Sequence, residues 1–99
     1  MINKNMLKQM QARLNKIQED LANEEVSGTA GGGVVTVVAN GQQQLVSIKI
    51  DPEAVDPEDV EMLQDMVLAA LKEGQRKAQT VAQEKMSAVT GGLNLPGGL

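Results

Sequence analysis

Residues 31–51, GGGVVTVVANGQQQLVSIKID, decide the fold. Val34-Val35-Thr36-Val37-Val38 has strand chemistry and is apolar on both faces of any strand it forms. Gly31-Gly32-Gly33 before it reads as a turn. A phosphate-cradling loop would need a helix directly after the glycines, with its N-terminus facing the phosphate. Asn40-Gly41 is a second turn signal, lengthened by Gln42 to Gln44 beyond a two-residue connection. Leu45 to Ile50 then alternates, with Val46, Ile48 and Ile50 on one face and Leu45, Ser47 and Lys49 on the other. With Val26–Ala30 as a short first strand, the stretch predicts a three-stranded antiparallel meander. Small antiparallel sheets usually keep one wet face. A strand apolar on both sides therefore predicts a second cover, beyond what this chain's own helices supply.

Working outward, the chain on the N-terminal side places Leu7, Met10, Leu14, Ile17 and Leu21 at alternating spacings of three and four. This is a heptad seam on a helix from about Asn3 to Glu24. Fewer than three heptads do not make an independent coiled coil, so the seam is expected to pack on a neighbouring helix. Met6 and Met10 are read as packing residues. On the C-terminal side, Pro52 closes the last strand, Asp56 is the expected N-cap, and Pro57 the first helical residue. The acids of DPEAVDPEDVEML lack the ligand order and central glycine of a calcium loop, and are read as caps and solvated charge. The helix from Pro57 carries Val60, Leu63, Val67, Ala70, Leu71, Gly74, Ala78 and Val81 on one stripe and is expected to reach Val89. At about 50 Å it outruns strands of about 20 Å, so more than half of it should project. Gly74 is expected to weaken or bend that projection. Residues 1–90 form one domain, and GGLNLPGGL, residues 91–99, reads as a flexible tail.

Composition narrows the function. The 99 residues include no Phe, Tyr, Trp, Cys or His. The core is therefore aliphatic and thin, which is consistent with completion by a second copy. Without Cys or His the chain lacks a thiolate nucleophile, the usual neutral-pH acid–base group and the commonest metal ligands. An enzyme is not expected, nor a cofactor, metal or small-molecule substrate. No apolar run is long enough for a membrane span, and no secretory h-region is present, so a cytoplasmic protein is expected.

The net charge of −4 is unevenly spread. Residues 1–16 carry +4, residues 72–85 carry +2, and residues 17–71 carry −10. With the helices antiparallel, eight of the nine basic residues fall on the outer arms and the acids gather near the sheet. The first helix also opposes its own dipole, with cations toward its N-terminus and Glu19, Asp20 and Glu24 toward its C-terminus. Two readings of the arms stand: a solvated polar face, or an anion-binding surface with a directed field.

Five segments, in order, bear a family likeness: MLKQMQARLNKIQEDL, GTAGGGVVTVVANG, VSIKIDPEAVDPED, EMLQDMVLAALKEGQRKAQ and KMSAVTGGLNLPGGL. With them the chain resembles the YbaB/EbfC family of small bacterial nucleoid-associated proteins over nearly its whole length. The resemblance implies an α+β, two-layer α-β-β-β-α fold whose members dimerise through their sheets. Their long helices project like the arms of tweezers and are implicated in DNA binding. It implies double-stranded DNA as partner, a homodimer, a nucleoid location, and DNA contacts from Lys4, Lys8, Arg13, Lys16, Lys72, Arg76, Lys77 and Lys85. The competing class is a scaffold whose paired arms grip another protein. Steep salt dependence separates phosphate binding from an apolar grip.

Overall fold

The structure, a computed structural model, describes residues 3–90, with side chains as far as Ala88. The expected tail 91–99 lies outside the described residues. In chain order the elements are α1 (Lys4–Asn23), β1 (Glu25–Ala30), β2 (Val35–Asn40), β3 (Leu45–Ile50), a single 3-10 turn (Pro52–Ala54) and α2 (Val60–Thr90). The expected α-β-β-β-α order is observed, with an antiparallel sheet in the order β1-β2-β3.

Local chemistry sets each junction. Asn3 caps α1, its Oδ1 accepting the Met6 N–H at 2.8 Å. Gly31, Gly32 and Gly33 all take positive φ (64°, 69° and 99°) between β1 and β2, a path that side chains disfavour. Asn40 organises the β2–β3 loop. Its Oδ1 accepts the N–H groups of Gln42 and Gln44, each at 3.0 Å. Its Nδ2 donates to Gln44 Oε1 at 2.9 Å and to the Ala22 carbonyl at 3.4 Å. A buried amide is thereby satisfied at both ends.

Two sequence expectations shift. α2 starts at Val60 rather than Pro57. Asp56 Oδ1 accepts the Glu58 N–H at 2.9 Å in a preceding turn, while Asp59 Oδ1 takes the Met62 N–H at 3.2 Å. Two equivalent cap residues three positions apart compete, and the second begins the helix. The alternation of β3 also breaks. Ile50 and Ile48 pair with Val35 and Val37, Ser47 pairs with Val38, and Ala39 then pairs with Leu45, passing over Val46. This bulge turns Leu45, rather than Val46 alone, toward the α2 side, where it lines a cleft with Val37, Ala39 and Leu71.

α2 crosses β1 and β2 on one face of the sheet, burying Val35, Val37 and Ala70, with Leu63, Met66, Val67 and Leu71 packed around them. The crossing is made at Gly28 and Gly74, whose backbones lie against each other. Gly74 is buried there inside an unbroken helix, so it serves close packing rather than a bend. The opposite face of β2 shows Thr36 and Val38, both half-buried, flanked through the register by Ser27, Thr29, Ser47 and Lys49. That face is largely polar. The second apolar surface predicted from Val34–Val38 lies instead on β3, where Leu45, Val46, Ile48 and Ile50 are all exposed.

α1 docks only at its C-terminal end. Ile17 and Leu21 are buried, and the Leu21 carbonyl accepts the Gly41 N–H at 2.8 Å. Lys85 Nζ reaches Glu24 at 3.4 Å, fixing α1 and α2 as antiparallel neighbours. The rest of α1 extends beyond, in a molecule measuring 65 × 27 × 16 Å.

Candidate nucleic-acid interface

The eight basic residues singled out by sequence divide into three settings. Lys4, Lys8 and Arg13 lie on the free half of α1, where every residue from Asn3 to Lys16 is exposed. They make no ion pair among the described residues, and no acid occurs on the chain before Glu19. Lys16 is the next cation along and meets Asp20 at 3.5 Å, one turn on. Both side chains of that pair are open to water, so it is weak and exchangeable. Arg13 and Lys16 also flank a cleft between the helices, floored by Ala12, Ile17 and Ala88 and bordered by Lys85.

Lys72 and Arg76, spaced i,i+4, form one exposed row on α2. Helical geometry puts that row opposite the buried Ala70-Gly74-Ala78 stripe. They sit over the sheet, not on the projecting part of α2, because Gly74 between them marks the crossing with Gly28. Thirteen or so residues of helix, roughly 20 Å, separate them from the level of Ala88 and Arg13. The arms therefore carry fewer of the cations than the sequence placed there.

Lys77 is committed elsewhere. Its Nζ donates to the Ser27 carbonyl at 2.9 Å and meets Glu73 at 3.1 Å. The Lys77 hydrogen bond holds the Glu73 carboxyl below its ordinary value of 4.5, helped by the charges of Lys77 and Arg76 and by the Thr29 backbone, against a desolvation cost. The pair thus spans the outer edge of β1, occupying groups that a further strand would need. The i,i+4 spacing of Glu73 and Lys77 was the only sequence signal of this clamp. Exchanging Lys77 for Met should lower the melting temperature by a few degrees and leave DNA affinity unchanged. Glu73→Gln should do the same at pH 7. The native carboxyl ionises more readily than the unfolded one, so the clamp is complete above pH 4.5 and lost as pH falls through the lowered native value. Melting curves of wild type and Glu73→Gln should accordingly converge in acid; a gap that persists once the native carboxyl is protonated would contradict the clamp.

Sequence reasoning also missed an uncharged concavity beside α1. It is lined by Gln18, Gln42, Gln43, Gln44, Ala82 and Met86. Gln42 Nε2 donates to the Gln18 carbonyl at 2.9 Å, tying the loop to the helix. Among the described residues, no group of three or more Asp or Glu is arranged to hold a metal ion. Among the same residues, no helix is long and apolar enough to cross a membrane.

The chain is thus a helix–sheet–helix body whose first helix carries exposed cations ahead of its first acid, Glu19. The chain belongs to the YbaB/EbfC DNA-binding family, whose profile matches residues 2–93. It is 55% identical over 95 residues to a nucleoid-associated protein of Pelotomaculum thermopropionicum, covering 93% of this chain and 90% of that one. A nucleoid-associated protein of Chloroflexus aurantiacus is 54% identical over 88 residues, covering 89% of this chain and 88% of its own. The fold also matches the crystal structure of the uncharacterized protein HP0035 from Helicobacter pylori, with a TM-score of 0.64 at 25% identity. That match covers 89% of this chain and 98% of the other.

Proposed function

We propose that this protein binds double-stranded DNA as a homodimer, gripping phosphates with the basic arm of α1 and serving nucleoid organisation. The observation that carries the reading is the trio Lys4, Lys8 and Arg13. Among the described residues these cations make no ion pair, and they lie on the part of α1 before Glu19, which carries no acid and leaves the body of the molecule. Lys16 and the outward row Lys72 and Arg76 extend the cationic surface, while Lys85 borders the cleft beside it. Lys77 stays with β1. Membership of a DNA-binding family and relatives named nucleoid-associated proteins support DNA as the polyanion.

Base reading requires side chains on an element that enters a groove, in fixed register. Glutamines do occur on α1, but Gln11 already donates to Asn15 at 3.1 Å along the helix surface. The helices are separated by the whole meander, which is not helix-turn-helix geometry. Binding is therefore sequence-tolerant. Competition between a random duplex and any candidate target should show a preference well below about a thousandfold, the lower end for specific regulators. A larger preference would mark a base reader.

The dimer reading rests on β3. Its Ile48 and Ile50 are 42% and 39% exposed beside exposed Leu45 and Val46, on the sheet edge that no clamp covers. A second copy meeting the molecule through β3 buries this row. Ile48→Asp should yield a folded monomer, because the position is exposed within one chain and buried only between two. Val37→Asp, by contrast, should unfold the chain itself, since Val37 is 1% exposed under α2. Sedimentation of wild type as a stable monomer at micromolar concentration would contradict the dimer.

The alternative, an arm that grips another protein, draws on the exposed Leu7, Met10 and Leu14 of the same helix. It predicts binding that survives high salt.

A further inference from the structure

One flank of the molecule is lined with side-chain amides. On α1, Lys4, Lys8, Gln11, Asn15 and Gln18 follow at spacings of four and three, which sets them in a single row beside the apolar seam. On α2, Lys72, Arg76, Gln79 and Gln83 repeat the pattern. Every residue of both rows is exposed. Each row starts with two cations and continues as neutral amides.

The amide ends of the two rows meet. Gln18 lines the uncharged concavity with Gln42, Gln43 and Gln44. Gln79 and Gln83 line an adjoining hollow that shares Gln43, Ala82 and Met86 with it. Among the described residues, no acid and no cation borders either hollow, in a protein with 13 acids. Gln43 stands there at φ 64°, in the left-handed region that favours glycine. Its side chain and those of Gln79 and Gln83 make no hydrogen bond among the described residues.

Because α1 and α2 run antiparallel, the cationic ends lead away from this meeting place in opposite directions. Lys4 and Lys8 lie out along the arm, and Arg76 and Lys72 lie back over the sheet. About twelve residues of α1 and about nine of α2 separate the two pairs by way of the hollows, roughly 30 Å of helix. One duplex turn is roughly 34 Å, the interval at which a strand's backbone returns to the same side of DNA. Between two such returns the complementary backbone crosses that side as a convex ridge. A ridge seats in a hollow, whereas reading a base edge needs an element that enters a groove.

We infer that the amide-lined hollow is part of the DNA surface. It takes one ridge of sugar–phosphate backbone, whose oxygens accept hydrogen bonds from the side-chain N–H groups of Gln43, Gln79 and Gln83. The two cation pairs hold the ridges on either side. The inference rests on the DNA-binding reading above and adds to it a neutral contact that joins the arm to the row over the sheet. Amides used in this way position a duplex without reading its sequence.

Neutral contacts have a signature that charged ones lack. A lysine on a phosphate releases counterions and steepens the salt dependence, whereas an amide adds affinity alone. Gln43→Ala/Gln79→Ala/Gln83→Ala should therefore bind a random-sequence duplex about tenfold more weakly at every salt concentration, on a line parallel to that of wild type. Gln83→Glu should cost about tenfold more affinity than Gln64→Glu, the same charge change at the far end of α2. Circular dichroism and sedimentation of each variant should match wild type. Wild-type affinity in the triple variant, or equal losses in Gln83→Glu and Gln64→Glu, would overturn the inference while leaving the grip of Lys4, Lys8 and Arg13 in place. A changed mass in sedimentation would assign the hollow to a contact between copies and also overturn it. Failure of wild type to bind duplex at low salt would instead remove the DNA-binding reading on which the inference rests.

Discussion

Gly28→Ala should destabilise this protein by about 3 kcal/mol or more, the upper end for overpacking a close contact. In a domain of this size that lowers the melting temperature by about 12 °C or more, and it approaches complete unfolding for a core so thin. The new methyl group would fall onto the Ala70 carbonyl oxygen and the Gly74 backbone nitrogen. Both are backbone atoms of α2, so no side chain can move aside. Relief requires lifting the helix from β1 and opening Val35, Val37 and Ala70 to water. Gly74→Ala, on the other side of the same crossing, should behave oppositely. Its Cβ would stand 3.6 Å from Val37 Cγ1 and 3.7 Å from the Gly28 nitrogen, ordinary contact distances. It also gains up to about 1 kcal/mol of helix propensity. Thermal melts of the two variants check the pair. Equal losses would mean that the crossing is not as close as the structure has it.

The second large effect concerns binding. Reversing Lys4, Lys8 and Arg13 to Glu together should weaken DNA binding at least about a hundredfold at moderate salt, since each lost phosphate contact removes a counterion-release contribution and each new carboxylate repels. The melting temperature should barely change, because all three side chains are exposed and make no ion pair among the described residues, and such charges add little stability. Lys72→Glu/Arg76→Glu tests the separate row over the sheet and should cost less, as those two sit away from the arm. Fluorescence anisotropy with a labelled duplex reads both variants. Wild-type affinity in the triple variant would move the site off α1.

The sequence showed the element order because its signals were local. Glycines needing positive φ, an alternating strand and a heptad seam each act within a few residues. What it concealed depended on partners distant along the chain. Nothing in LAALKEGQ says that Gly74 meets Gly28, so its helix-weakening character suggested a bend where the fold uses closeness. Asp56 and Asp59 are both competent caps, and local chemistry alone did not rank them. The bulge at Val38/Ala39 arises from how the Asn40-organised loop closes, which moved Leu45 to the α2 side of β3. Among the cations, net charge by segment marked the exposed, acid-free start of α1. It could not show that Lys77 turns back to the Ser27 carbonyl, or that Lys72 and Arg76 lie over the sheet. The cover of the second apolar surface was sought on β2, whereas the register leaves β3 open.

A grip on DNA phosphates by the exposed cations of α1, as proposed, must weaken steeply as salt rises. The most direct test is the salt dependence of wild-type binding to a random-sequence duplex, with the protein first freed of co-purified nucleic acid. The account predicts a straight line of log affinity against log salt with a slope of about −4 to −7, corresponding to roughly 4 to 8 phosphates per dimer. A slope near zero, with binding that survives high salt, would contradict it.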